Sequence, residues 1–187
     1  MAQRHPADGP RAVALAAATG SAVAAMRPVA GGDLNDAYAV DLEDGRRLFV
    51  KTRAGAPPQE YATEAAGLRW LAEPGALCVP EVVAVGESFL ALEWVDGGGA
   101  LDEEAFGRGL AGVHAAGAPG FGGVEPMRLG PVVLPNDPLP SWPAFYAERR
   151  VLPLVGQARD RGALDAAGAA AVEAVCARMA SLAGPPE

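Results

Sequence analysis

Residues 43–51 read Glu43-Asp44-Gly45-Arg46-Arg47-Leu48-Phe49-Val50-Lys51, and this stretch decides the fold. Asp44-Gly45 is a tight-hairpin signal, and Arg47 to Lys51 behind it has the aromatic and β-branched character of a short strand. Ahead of the hairpin, Ala37 to Leu42 forms the partner strand. Upstream of that, Val23 to Val29 forms another, separated from it by the glycine-containing turn Gly31-Gly32-Asp33-Leu34-Asn35-Asp36. Three antiparallel strands in succession make a meander.

Working outward, the Ala-rich run Ala12 to Ala18 predicts a short helix ending near Gly20. On the other side, Gln59 to Glu73 carries Tyr61, Ala65, Leu68, Trp70 and Leu71 near helical spacing, with Pro74-Gly75 as its stop. Strands over Glu81 to Val85 and Phe89 to Val95 follow, turned at Gly86-Glu87. Asp96-Gly97-Gly98-Gly99 then reads as a break between lobes. Beyond it come a helix over Leu101 to Ala116, a Gly/Pro-rich passage from Gly117 to Pro140, a helix from Ser141 to about Arg161 and an Ala-rich helix from Leu164 to Leu182. The fold class is α+β with a five-stranded antiparallel sheet. The expected organisation is an N-lobe over 1–95, a hinge over 96–100 and a partial helical lobe over 101–187.

The chain has 187 residues and a formal net charge of −8, with half its residues apolar, which is enough to bury a core. An acidic chain without a patch of clustered Lys and Arg repels a phosphate backbone, so a nucleic-acid partner is not expected. Cys78 and Cys176 stand far apart in apolar settings and read as buried thiols of a reducing cytoplasm, not as a disulfide or metal site. No run is long and apolar enough for a membrane span. The leader-like N-terminus reads as a helix, because Asp8 and two prolines sit in its would-be charged region.

Of the 15 basic residues, Lys51 is the one lysine. An ammonium is a compact point charge where a guanidinium is a wide fork, so a solitary lysine on a strand suggests a place where the fork would not do. A lysine projecting from a rigid third strand, followed by a helix with glutamates, is the order of parts with which protein-kinase-like folds hold ATP phosphates. Glu60 and Glu64, spaced i and i+4, are the candidate carboxylates to brace it.

Several segments in this order resemble the fructosamine kinase (ketosamine kinase) family. They are Gly31 to Tyr38, Asp44 to Lys51, Tyr61-Ala62-Thr63-Glu64-Ala65-Ala66-Gly67-Leu68, Val79-Pro80-Glu81-Val82 and Phe89 to Val95. Later come Gly109 to His114, Phe121-Gly122, and Pro135-Asn136 through Trp142, Phe145, Tyr146, Glu148 and Arg150. The resemblance implies a protein-kinase-like fold, with ATP and Mg²⁺ as cofactors and a ketosamine, free or on a glycated protein, as acceptor. It selects Glu64 over Glu60 as the partner of Lys51. It implies a phosphate loop at Gly31, Gly32, Asp33, Leu34 and Asn35; because a carboxylate repels phosphates, the Asp33 side chain is expected to cap a turn instead of meeting nucleotide. Adenine would be held by the carbonyl of Glu93 and the amide of Val95, with Leu92 at the back of the pocket.

Two departures from the family pattern stand out. Pro138 replaces a tryptophan usual after the Pro-Asn pair. The family's H-G-D-L-W-x-G-N loop and its later metal aspartate have no counterpart: the only histidines, His5 and His114, precede Pro6 and Ala115, and Asp137-Pro138 reads as a turn. His114 reads as structural, and no residue is assigned as a metal ligand. Without the aspartate base and metal ligands, the chain is expected to be a truncated kinase, inactive alone, exposing an apolar patch at Val151, Leu152, Leu154, Val172, Val175 and Met179 through which it self-associates. Alternatives are a non-catalytic nucleotide-binding pseudokinase and an aminoglycoside- or choline-type phosphotransferase.

Overall fold

A computed structural model describes residues 9–30, 34–130 and 132–183. Two compact units result, Met1–Gly117 and Ala118–Glu187. In the first, α1 (Pro10–Thr19) precedes β1 (Val23–Val29), β2 (Asp36–Leu42), β3 (Arg47–Thr52), α2 (Glu60–Ala72), β4 (Val82–Gly86), β5 (Phe89–Glu93) and α3 (Glu103–Ala116). The five strands form one sheet in the order β1-β2-β3-β5-β4, antiparallel throughout. Gly45, at φ +86°, makes the β2–β3 turn in a conformation that costs a glycine little.

Strand alternation sorts the sheet into two faces. Val40, Leu42, Leu48, Val50, Phe89 and Ala91 pack with Leu15 of α1 on one side. On the other, Leu90 and Leu92 of β5 meet Tyr61 and Ala65 of α2, with Phe49, Leu68 and Val82 at the margin. Register places Lys51 opposite Ala37 on one side and Leu90 on the other. Lys51 therefore shares the α2 face with Phe49, in the middle of the sheet.

Most elements fall within a residue or two of the sequence reading, and the differences have local causes. β5 stops at Glu93 instead of Val95, although the Trp94 amide still donates to the Arg47 carbonyl at 3.3 Å. α3 starts at Glu103 because Asp102 caps it, accepting from the Ala105 amide at 2.8 Å. α3 belongs to the first unit: a side chain at Gly109 would lie 2.6 Å from the Ala76 carbonyl, so glycine permits this close approach.

In the second unit, the passage read as Gly/Pro-rich loop contains a short hairpin, β6 (Met127–Leu129) and β7 (Val132–Leu134). The single helix expected from Ser141 to Arg161 is three segments: α4 (Trp142–Tyr146), a π-helical stretch over Ala147–Val151, and α5 (Leu152–Asp160). Pro153 explains the irregularity. It lacks the N–H that an α-helix would aim at the Arg149 carbonyl. The Arg150 guanidinium donates to that carbonyl at 3.0 Å and also to Pro135 O and Asn136 Oδ1, while lying 4.4 Å from the Phe145 ring centroid. α6 (Ala166–Ala177) is capped by Asp165 and ends at Arg178, before the short α7 (Met179–Leu182).

The expected burial of the cysteines needs correction, and other exposures are mixed. Cys78 is exposed in the loop after α2, and Cys176 of α6 is half-buried at a cavity shared with Ala144, Ala147 and Leu152; both are free thiols. Of Trp142, Phe145 and Tyr146, which recur at helical spacing, Phe145 alone is buried. Trp142 and Tyr146 stack on each other at 4.8 Å between centroids and stay exposed. In the apolar set named above, Leu154 and Val175 are exposed while Val151, Leu152, Val172 and Met179 are half-buried. Among the described residues, no helix is long and apolar enough to cross a membrane.

Arg150→Met keeps the apolar stem but leaves three acceptors without their guanidinium donor. It should lower unfolding free energy by about 1–3 kcal/mol in a urea titration followed by circular dichroism. A loss below about 0.5 kcal/mol would show that Arg150 does not substitute for the missing Pro153 bond.

Candidate functional site

The centre of the first unit is an ion pair. Lys51 Nζ donates to Glu64 Oε1 at 2.7 Å and to Oε2 at 2.8 Å, joining the middle strand of the sheet to the second turn of α2. Of the two glutamates open as candidates, Glu60 has another partner, the Arg53 guanidinium. The division follows from geometry. α2 begins beside the end of β3, so its first carboxylate meets Arg53 and the next one down the same face meets Lys51. Gln59, at φ +64°, turns the chain into α2, and the Arg53–Glu60 pair pins that turn.

Lys51 and Glu64 have side-chain exposures of 24% and 36%. At that exposure a pair contributes little to stability, because water and salt screen it. An ammonium has three N–H donors. Two face Glu64, and the third is available to an anion.

A second contact ties α2 to the sheet. The Tyr61 hydroxyl donates to Asn35 Oδ1 at 2.9 Å. Tyr61 is fully buried, and burial, more than the charge of nearby Glu60, raises its phenol above the usual value. This contact joins residues 26 positions apart and was not foreseen from the sequence; the spacing of Tyr61 one turn before Glu64 is the signal that could have suggested it. Asn35 stands at the mouth of β2, and Leu34 beside it is half-exposed. Gly31, Gly32 and Asp33 lie outside the described residues.

At the far end of β5, Leu92 is buried between the sheet and α2. The Glu93 amide donates to the Glu81 carbonyl at 2.9 Å, and the Glu93 carboxylate accepts from the Glu81 amide at 3.3 Å. The side chain thus takes the Glu81 N–H that a continuing ladder would direct to the Glu93 carbonyl. Val95 is half-exposed beyond the strand end. Trp94 is fixed in place: its indole donates to Asp96 at 2.9 Å, and the Arg47 guanidinium lies 4.9 Å from its ring centroid. Lys51, Glu64, Asn35 and Leu92 all belong to the α2 side of the sheet, with Glu93 and Val95 at its end. Among the described residues, no group of three or more His, Cys, Asp or Glu side chains is placed to hold a metal ion.

This arrangement, a strand lysine clasped by a helix glutamate on a five-stranded antiparallel sheet, can be set beside known proteins. The profile of the family described as Fructosamine kinase matches residues 10–186. The chain belongs to the fructosamine kinase family. It is 39% identical over 134 residues to a candidate ketoamine kinase of Thermus thermophilus, covering 72% of this chain and 48% of that protein. It is 33% identical over 141 residues to a chloroplastic protein-ribulosamine 3-kinase of Arabidopsis thaliana, covering 71% and 43%. The crystal structure of a candidate fructosamine-3-kinase from Thermobifida fusca superposes with a TM-score of 0.83 at 38% identity, covering 95% of this chain and 64% of that one. The fold is accordingly protein-kinase-like. The chain spans about half the length of the curated relatives it matches.

The exposure of the Lys51–Glu64 pair sets its energetic weight. A double-mutant cycle with Lys51→Met and Glu64→Gln should give a coupling of about 0.5 kcal/mol at low salt that fades in molar NaCl. A salt-independent coupling of several kcal/mol would instead make the pair a structural strut.

Proposed function

We propose that these 187 residues carry the ATP-binding part of a ketosamine kinase-type phosphotransferase, in which Lys51, braced by Glu64, meets the nucleotide phosphates. The single observation that carries this reading is the two-oxygen grip of Glu64 on Lys51, which aims one ammonium and leaves a donor free. Adenine would lie against Leu92 and bond the Glu93 carbonyl and the Val95 amide. That assignment is supported by the capture of the Glu81 N–H by the Glu93 carboxylate, which leaves the carbonyl uncommitted to it. Gly31, Gly32, Asp33, Leu34 and Asn35 complete the phosphate side in this proposal.

The acceptor in this proposal is the sugar hydroxyl of a ketosamine, free or on glycated protein, a reading that the relatives' names as ketoamine and ribulosamine kinases support. Two free thiols and no membrane-crossing helix among the described residues fit a cytoplasmic setting.

Phosphoryl transfer depends on positioning and on neutralising charge, with a base to take the acceptor proton and a metal to clamp the phosphates. Lys51 and Glu64 suit the first of these tasks. Among the described residues no group of three or more His, Cys, Asp or Glu side chains is placed to hold a metal ion, so no step is routed through one. No H-G-D sequence occurs, since His5 and His114 precede Pro6 and Ala115. We therefore propose that these residues bind nucleotide without transferring phosphate by themselves.

Isothermal titration of the full chain with ATP tests this directly. The wild type should bind, Lys51→Ala should bind about tenfold or more weakly, as expected for losing a charge-assisted contact, and a fructosyl-lysine acceptor should release no ADP. Equal ATP affinity in wild type and Lys51→Ala, or acceptor-dependent ADP release, would contradict it.

A further inference from the structure

The two ties between α2 and the sheet lie on one face of the helix. Tyr61 and Glu64 are three residues apart, so they project from neighbouring turns. Their targets share one face of the sheet as well. Ala37 pairs with Lys51, and Asn35, in the bend just before β2, is held on the α2 side by the hydroxyl of Tyr61. The pair Lys51–Glu64 and the pair Asn35–Tyr61 are thus parallel rungs across one helix–sheet seam, 2.7 Å and 2.9 Å long.

The two rungs differ in kind. Glu64 sets the direction of a cation. Tyr61, locked in the core at 1% exposure, offers one hydroxyl to the oxygen of an amide. That choice fixes the orientation of the amide: with Oδ1 facing the phenol, the two N–H donors of Asn35 face the other way. Asn35 is outside the core, so nothing in packing requires a buried hydroxyl to reach it, and a phenylalanine would fill the same space with one polar atom fewer to desolvate.

We propose that Tyr61 is a positioning residue for nucleotide: its hydroxyl orients the Asn35 amide so that its N–H donors join the Lys51 ammonium in meeting phosphate oxygens. The inference rests on the nucleotide-binding reading above. It adds a residue that touches no ligand and acts through Asn35, and it makes α2 responsible for both phosphate donors.

The test compares ATP, ADP and adenosine binding to the full chain by isothermal titration, with Tyr61→Phe, Asn35→Asp and Lys51→Ala beside the wild type. Tyr61→Phe should weaken ATP and ADP about five- to tenfold, the effect of one misdirected hydrogen bond, and leave adenosine unchanged. Asn35→Asp keeps an acceptor for Tyr61 but replaces the amide donors with a negative charge; it should weaken ATP more strongly, again sparing adenosine. If Tyr61→Phe binds ATP like wild type while Lys51→Ala does not, the role of Tyr61 is overturned and the nucleotide reading stands. Equal weakening of ATP and adenosine by Tyr61→Phe also overturns it, since that is the mark of a merely structural tyrosine. If Lys51→Ala and Asn35→Asp both leave ATP affinity unchanged, the nucleotide reading itself falls, and this inference with it.

Discussion

An ammonium on the middle strand of an antiparallel sheet has no useful direction unless something holds it, and the clasp of Glu64 on Lys51 is the constraint around which the first unit is organised. The pair is too exposed to stabilise the fold appreciably, so the fold must instead bring its two halves together. It does so with apolar burial. β3 is fixed between β2 and β5, and α2 is seated on their shared face by Tyr61 and Ala65 against Leu90 and Leu92. Hydrophobic contact sets the distance, and the ion pair uses it.

The same economy of placement recurs along the seam. One helix face presents Glu60, Tyr61 and Glu64, and each finds a different partner: Arg53, Asn35 and Lys51. The opposite end of the sheet is closed by other means, with Trp94 fixed by Asp96 and Arg47, and the Glu93 carboxylate placed on the Glu81 amide. In the second unit, Arg150 gathers the carbonyls of Pro135 and Arg149 and the Asn136 amide oxygen, offsetting the backbone donor that Pro153 lacks.

Much of this was legible in the residues. Asp44-Gly45 with a β-branched run behind it specifies a hairpin locally, and the solitary lysine at its end marks where to look for chemistry. The choice between Glu60 and Glu64 was not legible from spacing alone, since both share a helix face; it came from family resemblance, and the geometry pairs Glu64 with Lys51. The β6–β7 hairpin escaped because three-residue strands carry too little periodicity to rise above Gly and Pro. The π-helical stretch escaped because it depends on how Arg150 answers a proline three residues on. The exposure of Cys78, Trp142 and Tyr146 depends on what surrounds them in space, which composition does not encode.

Because Lys51 is the one lysine, a chain labelled with side-chain ¹⁵N-lysine carries a single ammonium reporter. Its resonance, followed by NMR during titration with ATP and then with adenosine, reads the central contact without interference from any other residue. The account predicts a saturable shift with ATP and none with adenosine. An ammonium signal that stays fixed through saturating ATP would contradict it.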